Sequence, residues 1–515
     1  MAQRPLKSIA LAAALILLVG AAIGVVVGQR AHEVRRADDV AAHEDGDNGQ
    51  PWQVEKKTWE QLHTQPITVE RLITLISAHA IAGAIPDEQI DDFLKRPDVP
   101  IDMARLALFW REALKGDVEP QLKQAVVEIA DRDLPPAWAN RLLANEAEER
   151  GATEEAAPRY LREGRFVPSH VKDIDFALEL FEEAKDWNAI QEAMTDPVVA
   201  ARVPAFLKAR LAAESNDWRH VPKWSFLSTF PKPALAPFSL AAVAAIAWAV
   251  FCAQLGRVRE RPFFRLSIYL AAFALGILSV VVTDMAILAE ESKLHLVETG
   301  EPVRDALYYV FGVGFREELS KLLLFIPLLP VLRRYGKKID VLVAGAFTGL
   351  GFAAVENLGY LGSGDLTTGV GRFLSANFLH MAMTAILASA LDDFLENGDE
   401  HAPELSRTVF TVIALHGLYD FFISHPKIGG GYLSMVVFFV LVNKFLVAVE
   451  HARGRPERSG ALLTTFVVGI AIVIAVSYVW ASVLVGPTNA AMALSGGFFG
   501  SAILVYAFAR RFREL

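Results

Sequence analysis

Residues 308–332 read YYVFGVGFREELSKLLLFIPLLPVL, and the fold of the chain turns on this stretch. Its length and apolar content suit a membrane span, which needs about 20 such residues as a helix. Yet Glu317 and Glu318 lie side by side near its middle, with Lys321 one turn further on. On insertion scales an ionised side chain at the centre of a spanning helix costs roughly 2.5–3.5 kcal/mol. Three such groups in one helix need a compensating reason, and the surrounding sequence supplies one.

The chain has 515 residues, 53% of them hydrophobic, and these are unevenly distributed. From Ala234 onward they fall into runs at 235–255, 264–288, 304–332, 339–361, 372–394, 407–424, 431–449, 460–485 and 489–509. A further run, SIALAAALILLVGAAIGVVVG, follows Arg4 and Lys7. It ends without a small-x-small cleavage site and reads as an uncleaved signal anchor over 1–30. The expected fold class is therefore all-α: a polytopic membrane bundle of about ten spans with a helical extracytoplasmic domain. The expected divisions are the anchor, the domain at 31–233, a membrane core at 234–450 and two more spans in 451–515.

Lys and Arg in the short loops orient the bundle. GRVRERPFFR, RRYGKK, EHARGRPERS and the tail ARRFREL are basic and read as inner, as does the loop LDDFLENGDEHAPELSR. EESKLHLVETGEPVR, GSGDLTTGVGR, SHPKIGGG and GPTN carry few basic residues and read as outer. Both termini are then cytoplasmic and residues 31–233 lie outside, as expected of a multi-pass protein of a bacterial inner membrane. That outer region holds 37 acidic against 25 basic side chains, which argues against nucleic acid as a partner. Segments such as DIDFALELFEEAKDWNAIQEAM repeat apolar residues at three- and four-residue spacing. Alanine-rich faces at roughly 30–40-residue intervals suggest stacked helix pairs, tetratricopeptide-like or a plain bundle. Either form implies protein or peptide binding, the bland alternative being a structural cap. The single cysteine, Cys252, allows no intramolecular disulfide and reads as a small apolar packing residue.

Ionisable and amide side chains recur on the next three spans. VLVAGAFTGLGFAAVENLGYLG carries Glu356 and Asn357, RFLSANFLHMAMTAILA carries Asn377 and His380, and RTVFTVIALHGLYDFFIS carries His416 and Asp420. His416 and Asp420 are four apart, as are Glu317 and Lys321, so each pair shares a helix face. Any one group has an ordinary reading as packing glue or a local ion pair. Together on neighbouring helices they read as a site, since ionisable residues in the membrane are expensive and mark function.

Two chemistries suit these residues. In one, His380, His416 and Asp420 bind Zn²⁺, leaving an open position for a water that a glutamate deprotonates. In the other there is no metal: Glu317 with His380 activates water, while His416 and Asp420 orient or stabilise the oxyanion. Both hydrolyse an amide. The common zinc signature HExxH is absent, so the choice stays open.

In order along four spans, EELSK, GFAAVENLGY, FLHMAMTA and HGLYD resemble the motifs of the PrsW family of membrane proteases. That family is distantly similar to the CPBP proteins, which include the CAAX prenyl endopeptidases. The resemblance covers about residues 235–450 and implies an intramembrane endopeptidase acting on membrane-anchored proteins in the lipid bilayer. Founding members cleave an anti-sigma factor on its extracytoplasmic side. Carried onto this chain, the resemblance makes Glu317, Glu318, His380 and His416 catalytic, with Lys321, Glu356, Asn357 and Asp420 supporting. Lys321 stands where the CPBP pattern has an arginine one residue further on, as in the PrsW branch. The competing readings are a proton-coupled transporter or channel, whose polar groups would line a path, and a non-catalytic binder of membrane proteins. The charged groups here cluster, and the halves of the membrane region show no internal repeat, which weighs against transport.

Overall fold

The computed structural model describes residues 3–45, 50–230, 235–362, 366–429, 432–453, 460–495, 505, 506 and 510. Among them no residue lies in a β-strand. The chain divides into two compact units, residues 36–215 and residues 1–35 together with 216–515.

In the unit of residues 36–215, the helices are short because proline and glycine punctuate them. Pro51, Pro120 and Pro197 open helices at a first-turn position, where the missing N–H costs nothing. Gly83, at φ 56°, closes Val69–Ala82 in the left-handed conformation that glycine adopts freely. Helices adjacent in sequence pack together, Ala139–Glu149 on Thr153–Phe166 and the latter on Asp173–Glu183. The apolar faces form two cores, one under residues 62–143 and one under 144–211. Two buried glutamates staple the connections. Glu55 accepts from the Ala84 and Ile85 N–H groups at 2.8 and 2.9 Å and bonds His79 at 2.7 Å. Glu163 accepts from the Trp138, Asn140 and Arg141 N–H groups and bonds His170 at 2.7 Å. Several bonds to each carboxylate offset the cost of burying it.

The second unit is the membrane bundle. Among the described residues, seven helical stretches are long and apolar enough to cross a bilayer. The expectation was about ten, and the difference lies at three places. Ser375–Ser424 is one stretch by composition but holds two helices, Leu366–Asn397 and Ala402–Ser424, joined by the turn Gly398–His401. The span expected at 489–509 lies mostly outside the described residues. The run at 304–332 is not one helix. It passes through Pro302–Leu307, a π-helical turn at Tyr308–Gly314, Phe315–Phe325, a 3₁₀ turn at Ile326–Leu328 and Leu329–Tyr335. Pro327 and Pro330 account for the later break, since each removes an N–H and crowds the preceding turn.

Lys338–Gly362, the Glu356 helix, occupies the middle of this bundle and packs most closely on Leu366–Asn397, the His380 helix. Gly349 makes that approach possible: a Cβ there would stand 2.1 Å from the His380 carbonyl oxygen. At the other end of the Glu356 helix, buried Asp340 pairs with buried Arg265 at 2.6 Å and lies 3.2 Å from the Tyr269 hydroxyl. This network fixes one end of the helix, while the glycine contact fixes its position against His380.

Candidate catalytic and metal-binding centre

The broken span determines how the glutamates are presented. The π-helical turn at Tyr308–Gly314 leads directly into Phe315–Phe325, the glutamate helix. A π turn adds a residue per turn and occurs most often at functional sites. Here it lies backbone to backbone on Ala402–Ser424, the His416 helix. A Cβ on Gly314 would stand 2.6 Å from the Ile413 carbonyl oxygen, and one on Gly417 would stand 2.3 Å from that of Tyr309. The glutamate helix therefore begins pressed against the helix that carries His416.

Glu317, Glu318, Lys321, His380 and His416 are all buried. The Lys321 ammonium lies over the Phe352 ring, 3.9 Å from its centroid. It donates to Glu318 Oε1 at 2.8 Å, Glu317 Oε2 at 3.3 Å and His380 Nδ1 at 2.8 Å. Since an ammonium only donates, His380 Nδ1 is the acceptor and its Nε2–H faces Glu356 Oε2 at 2.7 Å. On the other side, His416 Nδ1 bonds Glu318 Oε1 at 2.9 Å. Its Nε2 lies 3.5 Å from Glu317 Oε2 and 3.3 Å from Asp420 Oδ2. The two imidazole rings meet edge to face with centroids 5.2 Å apart.

Seven of the residues singled out from the sequence thus form one connected group: Glu317, Glu318, Lys321, Glu356, His380, His416 and Asp420. Asn357 does not join it. Its carboxamide is buried without a hydrogen-bond partner among the described residues. The pairs spaced four apart, Glu317 with Lys321 and His416 with Asp420, do meet. Phe352, which supports the ammonium through its ring face, gave no signal in the sequence because a phenylalanine in a span is unremarkable. Arg316, beside the glutamates, pairs with Glu290 at 2.7 Å. Asp284 bonds Thr229 at 3.0 Å, a partner far along the chain.

One donor atom each from Glu317, His380 and His416 lies within 4.8 Å of the other two. The chemistry of the group fits a cation. Lys321 pairs with two carboxylates, Glu317 and Glu318, while Glu356 and Asp420 face the two imidazoles. With its proton on Nδ1 for Glu318, a neutral His416 aims the Nε2 lone pair at two carboxylates. That arrangement is repulsive unless a proton or metal ion stands between them. Two imidazoles and a carboxylate are a donor set that zinc accepts with a position left open, His380 joining it once Lys321 releases the Nδ1 lone pair. Asp420, taken from the sequence as the third ligand, lies beyond His416 Nε2 and outside the set of three. Glu356 and Asp420 are each about a fifth exposed, whereas Glu318 is sealed, so the group opens on their side.

Comparison with known proteins agrees with the motifs. Residues 265–445 match the family model described as PrsW family intramembrane metalloprotease. Over 145 residues the chain is 27% identical to Protease PrsW of Clostridioides difficile (strain 630). That match covers 27% of this chain and 61% of the relative. No solved structure matches. The stretch similar to the PrsW family, residues 265–445, contains every residue of the buried centre.

Proposed function

We propose that this chain is an intramembrane endopeptidase that hydrolyses a peptide bond of membrane-anchored proteins. The observation that carries the reading is the convergence of Glu317, His380 and His416 donors in a buried cluster. Glu318 has Oε1 committed to both Lys321 and His416, so its role is to orient the imidazole. Glu317 reaches its neighbours only at 3.3 and 3.5 Å and is the carboxylate free to take a proton from water. Lys321 holds positive charge beside both glutamates and His380. Asp420 steadies His416 from the exposed side, and Glu356 steadies His380. In the zinc alternative Glu317, His416 and His380, its Nδ1 lone pair released by Lys321, would hold the ion, which when bound polarises a substrate carbonyl and acidifies water, and Glu317 is then a ligand and not the free base. His416 is then fixed in one orientation by Glu318, as ligating imidazoles usually are by a carboxylate.

The loop charges support an outward-facing centre with both termini in the cytoplasm of a bacterial inner membrane. Residues 31–233 would lie outside, where a helical unit resembling tetratricopeptide repeats would bind substrate ectodomains or other envelope proteins. Regulatory, anti-sigma-factor-like proteins are the substrate class that the resemblance favours.

The test is a survey of new protein N-termini in membranes of native cells, comparing wild type with Glu317→Gln at equal abundance. New termini near the outer ends of other proteins' spans, present only with wild type, are expected. Their absence under several envelope stresses would sink the protease reading. Chelation should abolish turnover of a substrate found in this way and added zinc should restore it. Turnover unaffected by chelation would select the metal-free mechanism.

A further inference from the structure

A second group of donors stands just before the π-helical turn. Glu298, Asp305 and His425 each place one donor atom within 4.8 Å of the others. They come from the segment after Leu294, from Pro302–Leu307 and from the residue that follows the His416 helix. Asp305 is fully buried, and its Oδ1 accepts from the Thr299 backbone N–H at 2.7 Å and the Thr299 hydroxyl at 3.0 Å. That leaves Oδ2, 3.2 Å from His425 Nε2. Glu298 Oε2 lies 3.1 Å from the Tyr309 hydroxyl, which is also 2.8 Å from Ser424 Oγ.

Two features set this group apart from an ordinary ion pair. Among the described residues, neither carboxylate has a lysine or arginine within ion-pair distance; Arg304, the basic residue beside them in sequence, pairs with exposed Glu301 instead. His425 also keeps Nδ1 enclosed from solvent with no hydrogen-bond partner. A neutral imidazole in either tautomer leaves that nitrogen unsatisfied, while Nε2 is the nitrogen that faces Asp305. Two carboxylates without a fixed cation, an imidazole nitrogen facing one of them and outer bonds that orient the carboxylates are the parts of a metal site.

We propose that Glu298, Asp305 and His425 bind a second divalent ion, of the zinc class, distinct from the centre at Glu317. The imidazole selects against calcium and magnesium, which take oxygen ligands. An ion here ties the segment after Leu294 to the end of the His416 helix. Tyr309 links it to the centre, because its hydroxyl touches Glu298 and its carbonyl oxygen lies against Gly417. Occupancy therefore sets how firmly the π turn is held on the His416 helix. The proposal does not depend on the hydrolytic reading.

The test uses the full chain in detergent, carrying His380→Ala and His416→Ala to remove the first centre, stripped by chelation and titrated with Zn²⁺. Bound zinc by elemental analysis should reach about one ion per folded chain, with a raised thermal midpoint. Glu298→Gln, at an exposed position, should weaken binding on the order of 10–100-fold, the range that even outer partners of a metal command. His425→Ala should remove it. No bound zinc in the folded background variant, or affinity unchanged by both substitutions, would overturn the proposal. Should the background variant misfold, the same count is made on the otherwise wild-type chain. There the count of bound ions should fall by one with His425→Ala, and zinc binding that this substitution leaves unchanged would equally refute the site.

Discussion

Gly417→Ala tests whether the contact between π turn and helix sets the geometry of the centre. An added Cβ would stand 2.3 Å from the Tyr309 carbonyl oxygen and 2.4 Å from the Val310 Cα, both of them backbone atoms. Ordinary contact begins at 3.4 Å, so the two elements must separate by about 1 Å, and overpacking of this kind costs roughly 1–3 kcal/mol. His416 is the neighbouring residue and moves with that backbone. Its bond to Glu318, now 2.9 Å, would stretch beyond hydrogen-bond reach. A misplacement of about 1 Å in a catalytic group costs on the order of 100-fold in rate, or about 2.7 kcal/mol of barrier. The assay is single-turnover cleavage of a substrate found in the N-terminal survey, at matched folded protein. Gly359→Ala is the control, since a Cβ there meets nothing within 4 Å. It should keep the wild-type rate and gain up to about 1 kcal/mol of helix propensity. A Gly417→Ala protein that cleaves within about threefold of wild type would refute the positioning argument, because a shift of that size cannot be absorbed so cheaply.

Three further expectations follow from the structure. Lys321→Met leaves Glu317 and Glu318 buried without their ammonium and should lower stability by roughly 3–5 kcal/mol. Adding Glu318→Gln should recover part of that loss in thermal unfolding in detergent, and strictly additive effects would show that the three do not act as a unit. In the unit of residues 36–215, burial pulls the His79 imidazole down, but its bonds to Glu55 and Asp87 outweigh this and leave its pKa above 6.5. A raised folded value means that this stabilisation is complete below pH 6.5 and is lost as pH rises through the folded pKa. Exchange of the Ala84 and Ile85 amides, corrected for base catalysis, should therefore accelerate above pH 6.5 in wild type but not in His79→Gln; identical profiles would contradict it. Deleting residues 40–225 should speed cleavage of a short-ectodomain substrate and broaden selectivity if the helical unit screens substrates; unchanged cleavage rejects that role.

The all-helical architecture with several apolar spans and the buried meeting of acidic, lysine and imidazole side chains were legible in the sequence because both rest on local signals. Hydropathy runs mark spans, and a carboxylate or imidazole within one stands out against lipid. Helical spacing likewise anticipated which residues share a face, as the Glu317–Lys321 and His416–Asp420 contacts show. What stayed hidden depends on tertiary placement. Lys321 reaches His380 on another helix, and that contact fixes which imidazole nitrogen is left to face Glu356. The donors that lie within 4.8 Å of one another likewise include Glu317 and not Asp420. The break in the run at 304–332 was concealed for a related reason. Glycine is common in membrane helices, so Gly312 and Gly314 did not distinguish a π turn from a continuous span. The second donor group was harder still, since Glu298, Asp305 and His425 come from two segments more than a hundred residues apart. Both groups meet at Tyr309, whose side chain touches one and whose backbone presses on the helix of the other. A motif can name the residues of a reaction centre, but their mutual distances depend on a contact that exists only because position 417 lacks a side chain.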